Sequence, residues 1–219
     1  MPFKERGTTG EGRVVDRWED GLGWIAHPEE TMQRTSHALV AGDGVWIVDP
    51  LWARGIAEEI ADLGSVAGVV VLLDRHQRDA DRFAAEFDVP IYRPPFVNRD
   101  FDAPTEILGV RLPDTDVKVI HTVDLPGWQE AALYDGETLI VADALGTVEY
   151  FTVGAERIGV HPLLRLVPPT VLRDATPSRI LVGHGEGLDE DPESALVHAI
   201  DGARSRLPRA WLSALRSLA

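Results

Sequence analysis

Three short apolar segments each stop abruptly at a charged or imidazole side chain, and this pattern constrains the fold more than any other feature of the chain. Residues 66–73 run into Asp74-Arg75-His76, residues 139–142 into Asp143, and residues 180–182 into Gly183-His184-Gly185. Continuous apolar runs of this length, bounded by turn signals, suit strands buried on both faces. Polar groups set at the ends of such strands lie where loops commonly hold binding or catalytic sites.

Around these segments the chain reads as two β-rich halves that each carry helices. Residues 12–17 and 22–26 predict strands flanking a turn at Glu19-Asp20-Gly21. Residues 36–41 and 45–50 predict a hairpin around Asp43-Gly44. Helical spacing over 52–63 places Ile56, Ile60 and Leu63 on one side, and 79–87 predicts a second helix. Four prolines and little periodicity between 94 and 116 predict a surface loop. Strands are expected at 117–121, 130–134, 138–142 and 180–183. One helix is expected near 163–173, interrupted by Pro168-Pro169, and two more at 192–205 and 208–218, each opened by a proline.

Composition narrows the function classes. The 219 residues, 44% of them hydrophobic, can bury a substantial core as one domain over 1–219. The absence of cysteine excludes disulfides, thiolate chemistry and cysteine-ligated zinc. The net charge of −15 comes from 36 acids and 21 bases, of which only Lys4 and Lys118 are lysine. Such a surface suits concentrated salt, where repulsion between carboxylates is screened, as in a halophile. A genome that favours arginine codons gives the same composition. Without a basic stripe, neither nucleic acid nor an anionic membrane is an expected partner. The charged N-terminal stretch has no apolar run behind it, and no segment nears the roughly 20 residues that span a bilayer, so a cytoplasmic location is expected. No nucleophile elbow or phosphate-binding glycine loop occurs.

In order and spacing, the sequences Val-Leu-Leu-Asp-Arg-His-Gln-Arg-Asp-Ala at 71–80, His-Thr-Val-Asp-Leu-Pro-Gly-Trp at 121–128, Leu-Ile-Val-Ala-Asp-Ala-Leu at 139–145 and Val-Gly-His-Gly at 182–185 resemble the metallo-β-lactamase superfamily. That family's pattern is T-H-x-H-x-D-H, then H-T-P-G-H-T-P-G-S, then a strand ending in G-D, then a late G-H. The hairpin ending in Asp49-Pro50 is similar to the strand pair that opens the same fold. The resemblance covers roughly residues 36 to 190. It implies an α+β fold, a four-layer αββα sandwich, and in ordinary members two metal ions, usually zinc, with a bridging hydroxide.

Residue by residue the carry-over is uneven. Arg75, Gln77 and Ala80 stand where the first motif has histidines, and Leu125, between Asp124 and Pro126, stands where the second has one. Asp79, Asp143 and His184 match the motif aspartate, the bridging aspartate and the last histidine. The resemblance therefore implies loss of the first metal site. It leaves two readings open. In one, Asp79, Asp143 and His184 hold a single zinc, iron or manganese ion, with His76 as a fourth ligand, and Asp79 and His184 serve a hydrolytic reaction. In the other no metal binds, the Arg75 guanidinium sits between Asp79 and Asp143, and Arg75, His76, Asp124 and Trp128 line a pocket for a small molecule or a partner.

Overall fold

The computed structural model describes residues 2–4 and 11–217. Strands β1 (Arg13–Trp18), β2 (Gly21–Ile25), β3 (Thr35–Ala41) and β4 (Gly44–Val48) pair antiparallel in sequence order, as their turn chemistry predicts. From β4 onward the pairing turns parallel. Helix α1 (Ile56–Ala61) leads into β5 (Val66–Val70), and α2 (Ala80–Phe87) leads into β6 (Ile91–Arg93), because parallel neighbours need a crossover between them. A short strand, β7 (Thr105–Ile107), completes a seven-stranded sheet in the order β1-β2-β3-β4-β5-β6-β7.

The second half builds β8 (Lys118–Leu125), β9 (Trp128–Tyr134), β10 (Thr138–Val141), the short pair β11 (Leu145–Gly146) and β12 (Gly159–Val160), and β13 (Arg179–Val182). Its main sheet has the order β13-β10-β9-β8, with β10 and β13 parallel. Helix α3 (Pro192–Ser217) follows.

Alternation along the strands sorts the core into layers. Ala38, Val45, Ile47, Val69 and Val71 face Ile56 and Ile60 of α1 and Phe83 and Ala84 of α2. Their neighbours Leu39, Trp46, Val48, Val70 and Leu72 face the other way, into a cluster with Leu133, Ile140 and Leu181 of the second sheet and Leu196, Ala199 and Ile200 of α3. Helices, sheet, sheet and helix therefore stack in four layers, the αββα arrangement expected. Fully burying one such aliphatic side chain contributes roughly 1.5–3 kcal/mol, so the two clusters dominate the stability.

Three local expectations are corrected. The proline-rich stretch 94–116 is not all loop: residues 105–107 pair with β6, an edge position that proline-flanked segments tolerate. The helix expected over 163–173 is two single 3-10 turns, Pro162–Leu164 and Thr170–Leu172, since Pro168 and Pro169 deny it consecutive backbone donors. The two C-terminal helices are one. Leu196, Ala199, Ala203, Ala210 and Ala214 continue one buried stripe past Pro208, whose ring lies on the exposed side. Among the described residues no helix is long and apolar enough to cross a membrane.

Candidate functional site

The parallel pairs β4/β5 and β10/β13 place the residues that follow them together. Asp49 follows β4, Arg75, His76 and Arg78 follow β5, Asp143 follows β10 and His184 follows β13. Gly183 makes the last approach possible: a Cβ there would lie 2.4 Å from the Ala142 carbonyl oxygen, so only glycine lets His184 come alongside Asp143.

Asp143 is the hub. His184 Nε2 lies 3.0 Å and His76 Nε2 3.2 Å from its Oδ1, while Arg75 Nη2 lies 3.7 Å from its Oδ2. Burial alone would raise the Asp143 pKa, but the two imidazoles hold it well below the usual carboxylate range. His76 continues the chain to Asp49, with Nδ1 3.2 Å from Oδ1. Burial and the Arg78 charge push His76 toward neutrality; Asp49 and Asp143 outweigh them, and its pKa rises. His184 Nδ1 meets the Met32 carbonyl at 2.9 Å. Both its nitrogens thus face acceptors and are satisfied together only in the imidazolium, while burial works against that charge and lowers its pKa. Asp49 and His76 belong to one sheet and Asp143 and His184 to the other, so this relay ties the two sheets together at their ends.

A second cation lies deeper. Arg78 Nη1 donates to the carbonyls of Thr35 at 2.7 Å and Asp49 at 2.6 Å. Asp49 and Arg78 both hold positive φ, 45° and 46°, a conformation that non-glycine residues keep only where the surroundings over-determine it. Asp49 Oδ2, His76 Nδ1, and Arg78 Nε and Nη2 are buried without a hydrogen-bond partner among the described residues. This end of the relay is under-satisfied.

Glu130 supports the site from beneath. Its carboxyl accepts from the Ala144 amide at 2.9 Å and from the Trp128 indole at 3.0 Å, fixing both the loop after Asp143 and the Trp128 ring. Burial, reinforced by Asp143, pushes its pKa up to about 8, so it is protonated at neutral pH. The Trp128 ring in turn carries the Arg75 guanidinium, whose Cζ sits 3.8 Å from the ring centroid. His161 packs edge-on against Trp128, and its Nδ1 accepts from the Leu163 amide. Lys4 lies close enough that Asp143, Arg78, Arg34 and Glu30 all act on it, although burial lowers its pKa most.

The site residues expected from the sequence are thus divided. Arg75, His76, Trp128, Asp143 and His184 come together. Asp79 does not join them: its Oδ2 accepts from the Trp52 amide at 2.7 Å, and it makes no side-chain cap to α2 either. Arg75 accordingly pairs with Asp143 alone and not with both aspartates. Asp124 is exposed on β8, where the Gln129 side chain donates to it at 2.6 Å, away from the cluster. Asp49, Arg78, Glu130 and His161 were not expected. The strained aspartate closing β4 is the same strand-end signal as Asp143, whereas Glu130 carries no signal in the sequence.

The metal that the resemblance implies does not fit these side chains. Asp79 is turned to a backbone amide, Asp143 Oδ1 is shared by two imidazoles, and a guanidinium approaches the other oxygen. Among the described residues no group of three His, Asp or Glu side chains is arranged to hold an ion.

Comparison with known proteins supplies the fold. Neither a protein-family model nor a curated protein matches the sequence. Solved structures do. The DIM-1 metallo-β-lactamase superposes with a TM-score of 0.60 at 14% identity, over 91% of this chain and 98% of its own. A flavo di-iron protein mutant from Thermotoga maritima gives 0.58 at 14% identity over 84% of this chain, spanning 58% of that protein. A putative diflavin flavoprotein fragment from Nostoc sp. PCC 7120 gives 0.59 at 11% identity over 95% and 99%. Together with the αββα layers and the strand-end cluster, these likenesses establish that the chain has the metallo-β-lactamase fold.

Proposed function

We propose that the protein is a binding relative within this fold, holding a small molecule at the strand-end cluster without the hydrolytic metal chemistry of metallo-β-lactamases. The occupancy of Asp143 carries the proposal. The residue that matches the family's bridging aspartate spends one oxygen on two imidazoles and has a guanidinium beside the other. Arg75, Gln77 and Leu125 stand at the positions of the first-site histidines. A set of side chains built this way has no means of generating a metal hydroxide near neutral pH.

The alternative is a mononuclear hydrolase on Asp79, Asp143 and His184. It requires Asp79 to leave the Trp52 amide and Arg75 to leave Asp143. Elemental analysis of protein purified without chelators separates the two. The binding reading expects well under one equivalent of zinc, iron or manganese and no turnover of ester, thioester, lactone or phosphodiester substrates. One equivalent of metal with turnover, both lost in Asp143→Ala, would overturn it.

A further inference from the structure

The geometry points to an anion seat at Arg75: the cluster binds a small molecule through a terminal carboxylate or phosphate group, with the Arg75 guanidinium as its fork. The inference rests on the binding reading above and names its ligand class.

Three other arginines close two-pronged pairs with a carboxylate. Arg34 holds Glu30 with Nε and Nη2 at 2.7 and 2.8 Å. Arg165 holds Glu156 at 2.7 and 3.0 Å, and Arg173 holds Asp201 at 2.9 and 3.1 Å. Each is a two-pronged pair at hydrogen-bonding distance, the geometry a guanidinium and a carboxylate adopt when they satisfy each other. Arg75 does not. Its nearest approach to Asp143 is 3.7 Å, beyond a hydrogen bond, and its side chain donates none among the described residues. Yet it is not loose, because its plane lies on the Trp128 ring, which Glu130 fixes from below. Its side chain is 42% exposed. A charged planar fork is therefore held in place with its donors unspent and open to solvent, the arrangement that recognises carboxylate or phosphate.

The surrounding charge agrees. The chain carries a net charge of −15, and Arg75 meets its one carboxylate, Asp143, only at 3.7 Å. A guanidinium left open on so acidic a protein is a place where an anion gathers.

The test is a titration of the 219-residue chain with inorganic phosphate and, separately, with succinate, followed by the indole N–H resonance of Trp128 in proton–nitrogen correlation spectra. Chloride at equal ionic strength is the control. Saturable shifts with one or both anions are expected, the stronger response identifying phosphate or carboxylate as the group read. Arg75→Gln should weaken binding by at least about tenfold, the loss of one charge-assisted pair, and Arg75→Lys, which keeps charge but loses the fork, should weaken it less. Arg173→Gln, at the remote Asp201 pair, should change nothing. Shifts that chloride reproduces, or that survive Arg75→Gln in a protein with an unchanged melting curve, would overturn the inference. Absent anion binding in metal-free protein would sink this inference alone; a bound equivalent of metal would sink the binding reading beneath it.

Discussion

Two buried ionic clusters in this protein look alike in composition and differ in completion. At Glu156, both carboxylate oxygens are spent: Arg165 takes them as a fork, Arg206 adds a third bond at 2.9 Å, and the Val153 amide a fourth at 2.9 Å. That cluster pins the irregular stretches on either side of β12 to each other and to α3. Around Asp49 and Asp143 the distances are longer, two residues hold strained backbone, and four polar atoms lack hydrogen-bond partners among the described residues. Both clusters leave buried guanidinium donors unpaired among the described residues, Arg165 Nε in the first and Arg78 Nε and Nη2 in the second, but only the second also leaves a buried carboxylate oxygen, Asp49 Oδ2, unpaired.

Glu156→Gln leaves the buried Arg165 charge without a counter-ion and should destabilise by about 3–5 kcal/mol in chemical denaturation. A loss under about 1 kcal/mol, ordinary for exposed pairs, would mean that the two clusters are not different in kind.

Glu130 lies beneath the open cluster, where it holds Trp128 and the Ala144 amide. Its folded pKa of about 8 exceeds the unfolded value of 4.5, so the folded state keeps a proton that the unfolded chain releases. The resulting stabilisation is fully present below the unfolded value. It falls as pH rises toward about 8, at up to about 1.4 kcal/mol per pH unit, and is lost above. Melting temperatures should drop between about pH 6 and pH 8. Glu130→Gln should flatten that slope, and an unchanged slope would place the titrating group elsewhere.

The smallest effect belongs to Arg75. Arg75→Gln removes a stacked cation but no hydrogen bond, and should change stability by no more than about 1 kcal/mol while weakening anion binding at least about tenfold. A large loss of stability would make Arg75 a structural ion pair like Arg165, and the contrast would vanish.

Much of this site was legible along the chain. Apolar runs that stop at Arg75-His76, Asp143 and His184 marked strand ends, and those residues do meet. Asp79 shows where such reading fails. Its spacing matches a metal-ligand motif, but the fold turns its carboxylate to the Trp52 amide, a partner 27 positions away. Glu130 shows the converse. It sits within an ordinary strand and gains its meaning only from Trp128 and Ala144.

The sequence by itself marked two β-rich halves with helices and the apolar runs that end at polar side chains, while the structure shows Val69 and Val71 on one face of β5 and Val70 and Leu72 on the other. The sequence also determined that most of the metal-ligand imidazoles are replaced. Only the tertiary structure decided which cation attends which carboxylate, because hydrophobic burial follows local periodicity, whereas ion pairing depends on distances of a few ångströms between residues far apart in the chain.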